Sequence, residues 1–304
     1  MMPNEAVDAV ETLAGLESVL TSEPTLQQAS EALEAIIALH RAGAAPMLLA
    51  MALRRLGHVR LQQGQPPAAI EAWQEASDLL RAKTLDSPSA EMFVEVLIDL
   101  GGLLCAVQCG EAAEVPLLEA TTILRDERRV TGRFAWTLNL LAASRQLNGR
   151  AEDALTALRE AEAVAKAVAH DSRSPPDAAR WALILNNIGR AEIAIGRPQD
   201  ACRTLETCLA VTRELIQAGG SPNDLTLHSA VSNRYGHALE QIGQPAAALR
   251  FYTETVEIMR TLVSAGRRDL AEDLADVEAD LARLCGALAV SQPDDDRRCD
   301  NHQS

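Results

Sequence analysis

Apolar and polar positions follow one another along this chain with a helical period, and the pattern itself recurs. Near the N-terminus, Glu5 to Leu20 and Thr25 to Arg41 each place apolar residues three and four apart, which predicts two amphipathic helices. Further on, NGRAEDALTALREAE from Asn148 is echoed by IGRPQDACRTLETCL from Ile195 and by IGQPAAALRFYTETV from Ile242, a step of 47 residues both times. Gly149, Gly196 and Gly243 fall in register, as do Ala154, Ala201 and Ala248. Seven residues before each glycine stands another small residue, Ala142, Gly189 or Gly236. The unit is therefore a pair of helices joined by a glycine turn.

The same template fits LRRLGHVRLQQGQPPAAIEAWQEA, with Gly57, Gly64, Ala69 and Ala76 at the required offsets. It also fits LIDLGGLLCAVQCGEAAEVPLLEA, where Gly101, Ala113 and Ala120 keep register but the second glycine, Gly110, is displaced by two. DLAEDLADVEADLARLCGALAV reads as one further first helix, capping the array with a polar outer face. Pro66, Pro198 and Pro245 each follow the loop glycine by two, where fixed φ and the missing N–H suit the first turn of the second helix. TLDSPSAE, HDSRSPPDAA and AGGSPNDL combine Ser or Gly with Pro and Asp, as turns carrying helix caps do. Residues 1–45 form an N-terminal helical cap, 46–290 the repeat array, and 291–304, which lack apolar periodicity, a disordered tail.

Composition agrees with an all-α chain: 47% of residues are hydrophobic but only 3% aromatic, and alanine abounds, which favours closely approaching helices. The net charge of −15 repels phosphate backbones and anionic lipid, so neither nucleic acid nor membrane is an expected partner, and a neutral or basic segment fits better. No basic leader and no ~18-residue apolar window is present, which predicts a cytoplasmic chain. The six cysteines form no C-x-x-C pair and have no histidines at zinc spacing; they read as buried thiols, with no disulfide, metal or cofactor.

With LRRLGHV, LNNIGRA, the loop glycines and alanine pairs such as Ala69 with Ala76 and Ala154 with Ala161 in place, the chain resembles the tetratricopeptide repeat family in its long-period, kinesin-light-chain-like form. The resemblance implies an α-solenoid, a right-handed superhelix whose first helices line the concave face. It departs from the family where an aromatic is usual three residues after the small residue of the first helix: Arg60, Arg145 and Glu192 stand there instead.

Amides recur at the same period. Asn139, Asn186 and Asn233 each stand three residues before the small residue, the next step reaches Asp280, and Arg54 holds the place in an earlier unit while Ile98 interrupts. Asparagine is a mediocre helix former, and its amide matches the alternating N–H and C=O of an extended peptide. Asparagines in a comparable context of kinesin-light-chain-like repeats line the groove and hold a bound main chain, which by resemblance makes Asn139, Asn186 and Asn233 the leading contacts. His58, Arg190 and His237, each one past the small residue, lie a helical turn away and would meet acidic groups on a ligand. The lysine-rich clamp of the family's chaperone-binding members is absent.

No G-x-S-x-G, H-E-x-x-H, G-x-x-x-x-G-K-[ST] or G-x-G-x-x-G motif occurs, and the histidines are scattered, so no enzyme activity is expected. The expected function is a peptide- or protein-binding adaptor. Two alternatives use the same architecture: a regulator in which ligand binding alters a partner, or a module that self-associates through a capping helix.

Overall fold

The computed structural model describes residues 14–21, 24–43, 46–82, 87–126 and 131–291. The tail beyond Ser291 and the start of the first amphipathic stretch lie outside them. The helices are α1 (14–21), α2 (Leu26–Gly43), α3 (Pro46–Gln62), α4 (Pro66–Arg81), α5 (Ser87–Ala106), α6 (Gly110–Asp126), α7 (Gly132–Leu147), α8 (Ala151–Ser172), α9 (Pro175–Ala194), α10 (Pro198–Gln217), α11 (Pro222–Gln241), α12 (Pro245–Ser264) and α13 (Ala271–Ser291), the last preceded by a 3-10 turn at Arg268–Leu270. From α2 to α6, and again from α8 to α13, helices adjacent in sequence pack on one another, so the fold is all-α and built of helix pairs. Two compact units form, Met1–Arg129 with Trp136–Arg150, and Val130–Ala135 with Ala151–Ser304.

Prolines open α4, α10 and α12 as predicted, and also α3, α9 and α11. Ser221 and Asp224 close a reciprocal capping box at α11. One connection is shorter than its composition suggests: α8 runs to Ser172 and α9 begins at Pro175, leaving only Arg173 and Ser174 between them. Arg173 makes this possible by adopting a φ of 51°, the left-handed conformation that usually ends a helix, with its N–H on the Ala169 carbonyl at 3.0 Å.

What holds the pairs α3–α4, α5–α6, α9–α10 and α11–α12 together is a contact between the small residue of the first helix and a large one sixteen positions later. A Cβ on Gly57 would stand 2.2 Å from the Trp73 ring, on Gly101 2.4 Å from Leu117, on Gly189 2.5 Å from Leu205 and on Gly236 2.8 Å from Tyr252. All four large side chains are buried to 2% exposure or less. At full burial each contributes roughly 1.5–3 kcal/mol. Trp73 adds a donor, its Nε1–H reaching the Arg54 carbonyl at 3.0 Å.

The positions that lack the family's aromatic carry ion pairs to the preceding second helix. Arg60 pairs with Glu34 of α2, and Arg145 of α7 with Glu114 of α6 at 3.3 Å. Glu192, 2% exposed, receives Arg159 of α8 at 2.5 Å and the Thr204 hydroxyl at 2.9 Å.

The displaced glycine of the irregular unit has two causes. Gln108, in the register of Gly64 and Gly149, takes the left-handed turn itself with φ 63°. Gly110 is needed for space, because a Cβ there would stand 2.5 Å from Asn148 Oδ1 and 2.6 Å from Leu147. Ser144 uses that approach to donate to the Gly110 carbonyl at 3.0 Å.

Two outcomes follow for thermal unfolding. Gly189→Ala gains about 1 kcal/mol of helix propensity but overpacks Leu205 at a cost of about 1–3 kcal/mol, so its melting temperature falls. Gly286→Ala in α13, where a Cβ meets nothing within 4 Å, raises it; equal shifts for both would refute the close-contact account. Gln108→Gly relieves a left-handed residue and stabilises the fold by about 1 kcal/mol, measured by denaturant midpoint.

Candidate functional site

The amide register does not present a uniform row. Asn139, in the first unit, is 6% exposed, and Asn186, in the second, 7%. Both were expected to face a groove, and both are enclosed. In the second unit the reason is visible: the Arg234 guanidinium of α11 donates to Asn186 Oδ1 on α9. Burial and the neighbouring Arg190 charge lower the pKa of Arg234, and among the described residues no carboxylate lies within ion-pair distance of it. The Asn186 carbonyl is thus a main support of a largely desolvated cation.

Asn233 is placed differently. Arg234 stands one past the ladder position, and one repeat later the same place holds Leu281, which has nothing to donate. Asn233 Oδ1 is buried without a hydrogen-bond partner among the described residues. Its side chain lines a cavity of about 420 Å³ between α11, α12 and α13, together with Arg234, His237, Asp273, Asp276 and Asp280. Three expected site residues, Asn233, His237 and Asp280, are therefore brought together; Asp276 and Asp273, one and two turns before Asp280 and off the repeat register, join them although the sequence marks neither as a contact.

One wall of this cavity is fixed by a polar network. The Tyr252 hydroxyl donates to Glu240 Oε1 at 2.5 Å, and its oxygen lies 2.9 Å from His237 Nδ1. With its own proton committed to Glu240, the phenol can only accept from His237, which places the imidazole proton on Nδ1 and turns Nε2 toward Asp280, 3.6 Å away. Arg283 of α13 grips Glu240 at 2.9 and 3.0 Å and Asp280 at 3.2 Å. Burial and the Glu240 bond push the Tyr252 phenol pKa up, while the Arg283 bond above all holds Glu240 below its usual range.

In the first unit the corresponding charges neutralise one another. Arg54 meets Glu95 at 2.6 Å and Asp99 at 2.7 Å on α5, and His58 Nε2 lies 3.1 Å from the same Asp99. Arg190 in the second unit is exposed. Burial raises the Cys208 thiol to about 12 and the Cys105 thiol to about 11, so neither supplies a thiolate at neutral pH. Among the described residues no cluster of three or more His, Cys, Asp or Glu could hold a metal ion, and no helix is long and apolar enough to cross a membrane.

The depressed Glu240 pKa has a definite sign in stability. A carboxyl held ionised in the fold stabilises it above its unfolded value of 4.5, and that stabilisation disappears as pH falls through the lower folded value. Glu240→Gln is expected to melt below the unsubstituted protein at pH 7, with the gap closing in a melting series carried below pH 4.5. A gap independent of pH would assign the effect to packing alone.

No family model matches the chain, and no curated protein does. Solved structures match along most of its length. BtubC (BKLC) from P. vanneervenii superposes with a TM-score of 0.63 at 17% identity, over 79% of this chain and 93% of that one. A Podosopora anserina putative kinesin light chain of nearly identical TPR-like repeats gives 0.56 at 20%, over 69% and 94%. A Rap protein complexed with competence and sporulation factor gives 0.50 at 14%, over 96% and 90%. The helix pairs, their glycine turns and these superpositions together make the chain a tetratricopeptide-like repeat protein in fold.

Proposed function

We propose that this protein is a non-catalytic interaction scaffold that captures an extended segment of a partner, with the cavity between α11 and α13 as the principal contact. The observation that carries the reading is Asn233: at the ladder position it keeps an amide oxygen without a partner among the described residues, beside a cavity, whereas Asn186 has committed its oxygen to Arg234. An amide presents a donor and an acceptor to a main chain. Asp273, Asp276 and Asp280 around it favour a neutral or basic segment over an acidic one, in keeping with the overall charge. Asn186 then serves the wall, Asn233 and His237 the guest, and Asn139, Arg54 and Arg190 lie outside this principal contact.

A single amide contact contributes a net ~0.5–1.5 kcal/mol, so side-chain pockets along the segment must add most of the affinity. A second reading, a regulator whose bound factor alters a partner, is favoured by the likeness to a Rap protein complexed with such a factor. Scattering curves with and without a captured segment separate the two, since the regulator reading requires the dimensions to change.

Asn233 and Asn186 should respond oppositely. Asn233→Ala is expected to melt close to the unsubstituted protein and to lower partner recovery about three- to tenfold in quantitative affinity capture. Asn186→Ala strips a half-buried cation of its acceptor and is expected to cost about 1–3 kcal/mol of stability. Undiminished capture by folded Asn233→Ala would remove the cavity from the function.

A further inference from the structure

A second site lies away from the amide register, at the turn between α8 and α9. Trp181 stands five residues before Asn186 on α9, about 140° round the helix at ~100° per residue, and so belongs to another face. Its ring lines a cavity of about 370 Å³ whose apolar wall is completed by Ala178, Val211 and Leu215. That volume lies in the ~300–1,000 Å³ range of small-molecule sites.

Two features mark it as more than an apolar crease. The first is Trp181 Nε1–H, a buried donor with no acceptor among the described residues, an arrangement that costs free energy until an acceptor arrives. The second is charge. In a chain of net charge −15, three basic side chains line this cavity, Lys166, His170 and Arg173, against one carboxylate, Glu214. Among the described residues neither Lys166 nor Arg173 has a carboxylate within ion-pair distance, whereas Arg159, Arg180 and Arg197 of the same unit are all paired. Lys166 Nζ instead sits 5.8 Å from the centre of the Trp181 ring, and Arg173, whose backbone is left-handed, lines the same cavity.

We propose that this cavity binds a small carboxylic acid with an apolar body, of medium-chain length. The tail lies against Ala178, Trp181, Val211 and Leu215; the carboxylate sits between Lys166 and Arg173 and accepts the Trp181 indole proton. An apolar ligand without charge leaves the donor and both cations unmet, and an amine meets repulsion. The site is independent of the α11–α13 cavity, so its failure leaves the scaffold reading untouched.

The test uses the full chain labelled with ¹⁵N, whose three tryptophans give three indole N–H resonances, Trp181 being assigned with Trp181→Phe. Titration with octanoate is expected to move the Trp181 resonance downfield and to saturate, with octanol binding at least about tenfold more weakly, the loss of charge-assisted contacts, and octylamine leaving the indole resonance in place. Arg173→Gly, which suits the left-handed backbone better than arginine and so melts no lower, is expected to weaken octanoate at least about fivefold without changing octanol. Lys166→Gln should act in the same direction. Equal affinity for octanoate and octanol, an unmoved Trp181 resonance, or unchanged octanoate binding by Arg173→Gly would each overturn the proposal.

Discussion

The fold depends on how near two helices of a pair can come. Wherever Gly57, Gly101, Gly189 or Gly236 removes a Cβ, a large side chain sixteen residues later fills the space to contact. The partner's identity changes from Trp to Leu to Tyr, yet the spacing does not, because a left-handed turn residue, glycine in three of these units and Gln108 in the other, fixes where the second helix begins. Close approach then decides what can reach across: Trp73 finds the Arg54 carbonyl, and Tyr252 extends far enough to engage both Glu240 and His237. The polar network beside the candidate groove is in this sense a consequence of Gly236.

The contact between successive pairs is solved by charge where the family commonly uses an aromatic ring. Arg60, Arg145 and Glu192 occupy equivalent places, and each reaches an opposite charge on the preceding second helix. The sign is free to reverse, as Glu192 with Arg159 demonstrates, provided the partner reverses with it. Burial makes the Glu192 pair the most demanding, since removing Arg159 would leave a carboxylate with little but the Thr204 hydroxyl to satisfy it.

Much of this was legible before any coordinates. Glycine and alanine at fixed offsets announce helix pairs because only small residues tolerate the approach, and Pro66, Pro198 and Pro245 mark helix starts by their fixed φ. Gln108 and Arg173 were not legible: nothing in a glutamine or an arginine announces a left-handed backbone. The amide register was visible, but the fate of each member was not, because enclosure is decided by a side chain on another helix. Arg234 is unremarkable in sequence and closes over Asn186 only once α9 and α11 lie side by side. Trp181 likewise reads as a core residue until its nitrogen is found without an acceptor.

The contrast between Arg234 and Leu281 carries a lesson about how such arrays diversify. One position supplies a reactive handle, and its counterpart in the following hairpin acts as a shutter that is either drawn or left open. A codon change at the shutter could therefore expose or conceal a contact while the handle itself stays constant. Specificity in a repeat of this kind is written two helices at a time, so a chain can redraw what it recognises without touching the residues that do the recognising.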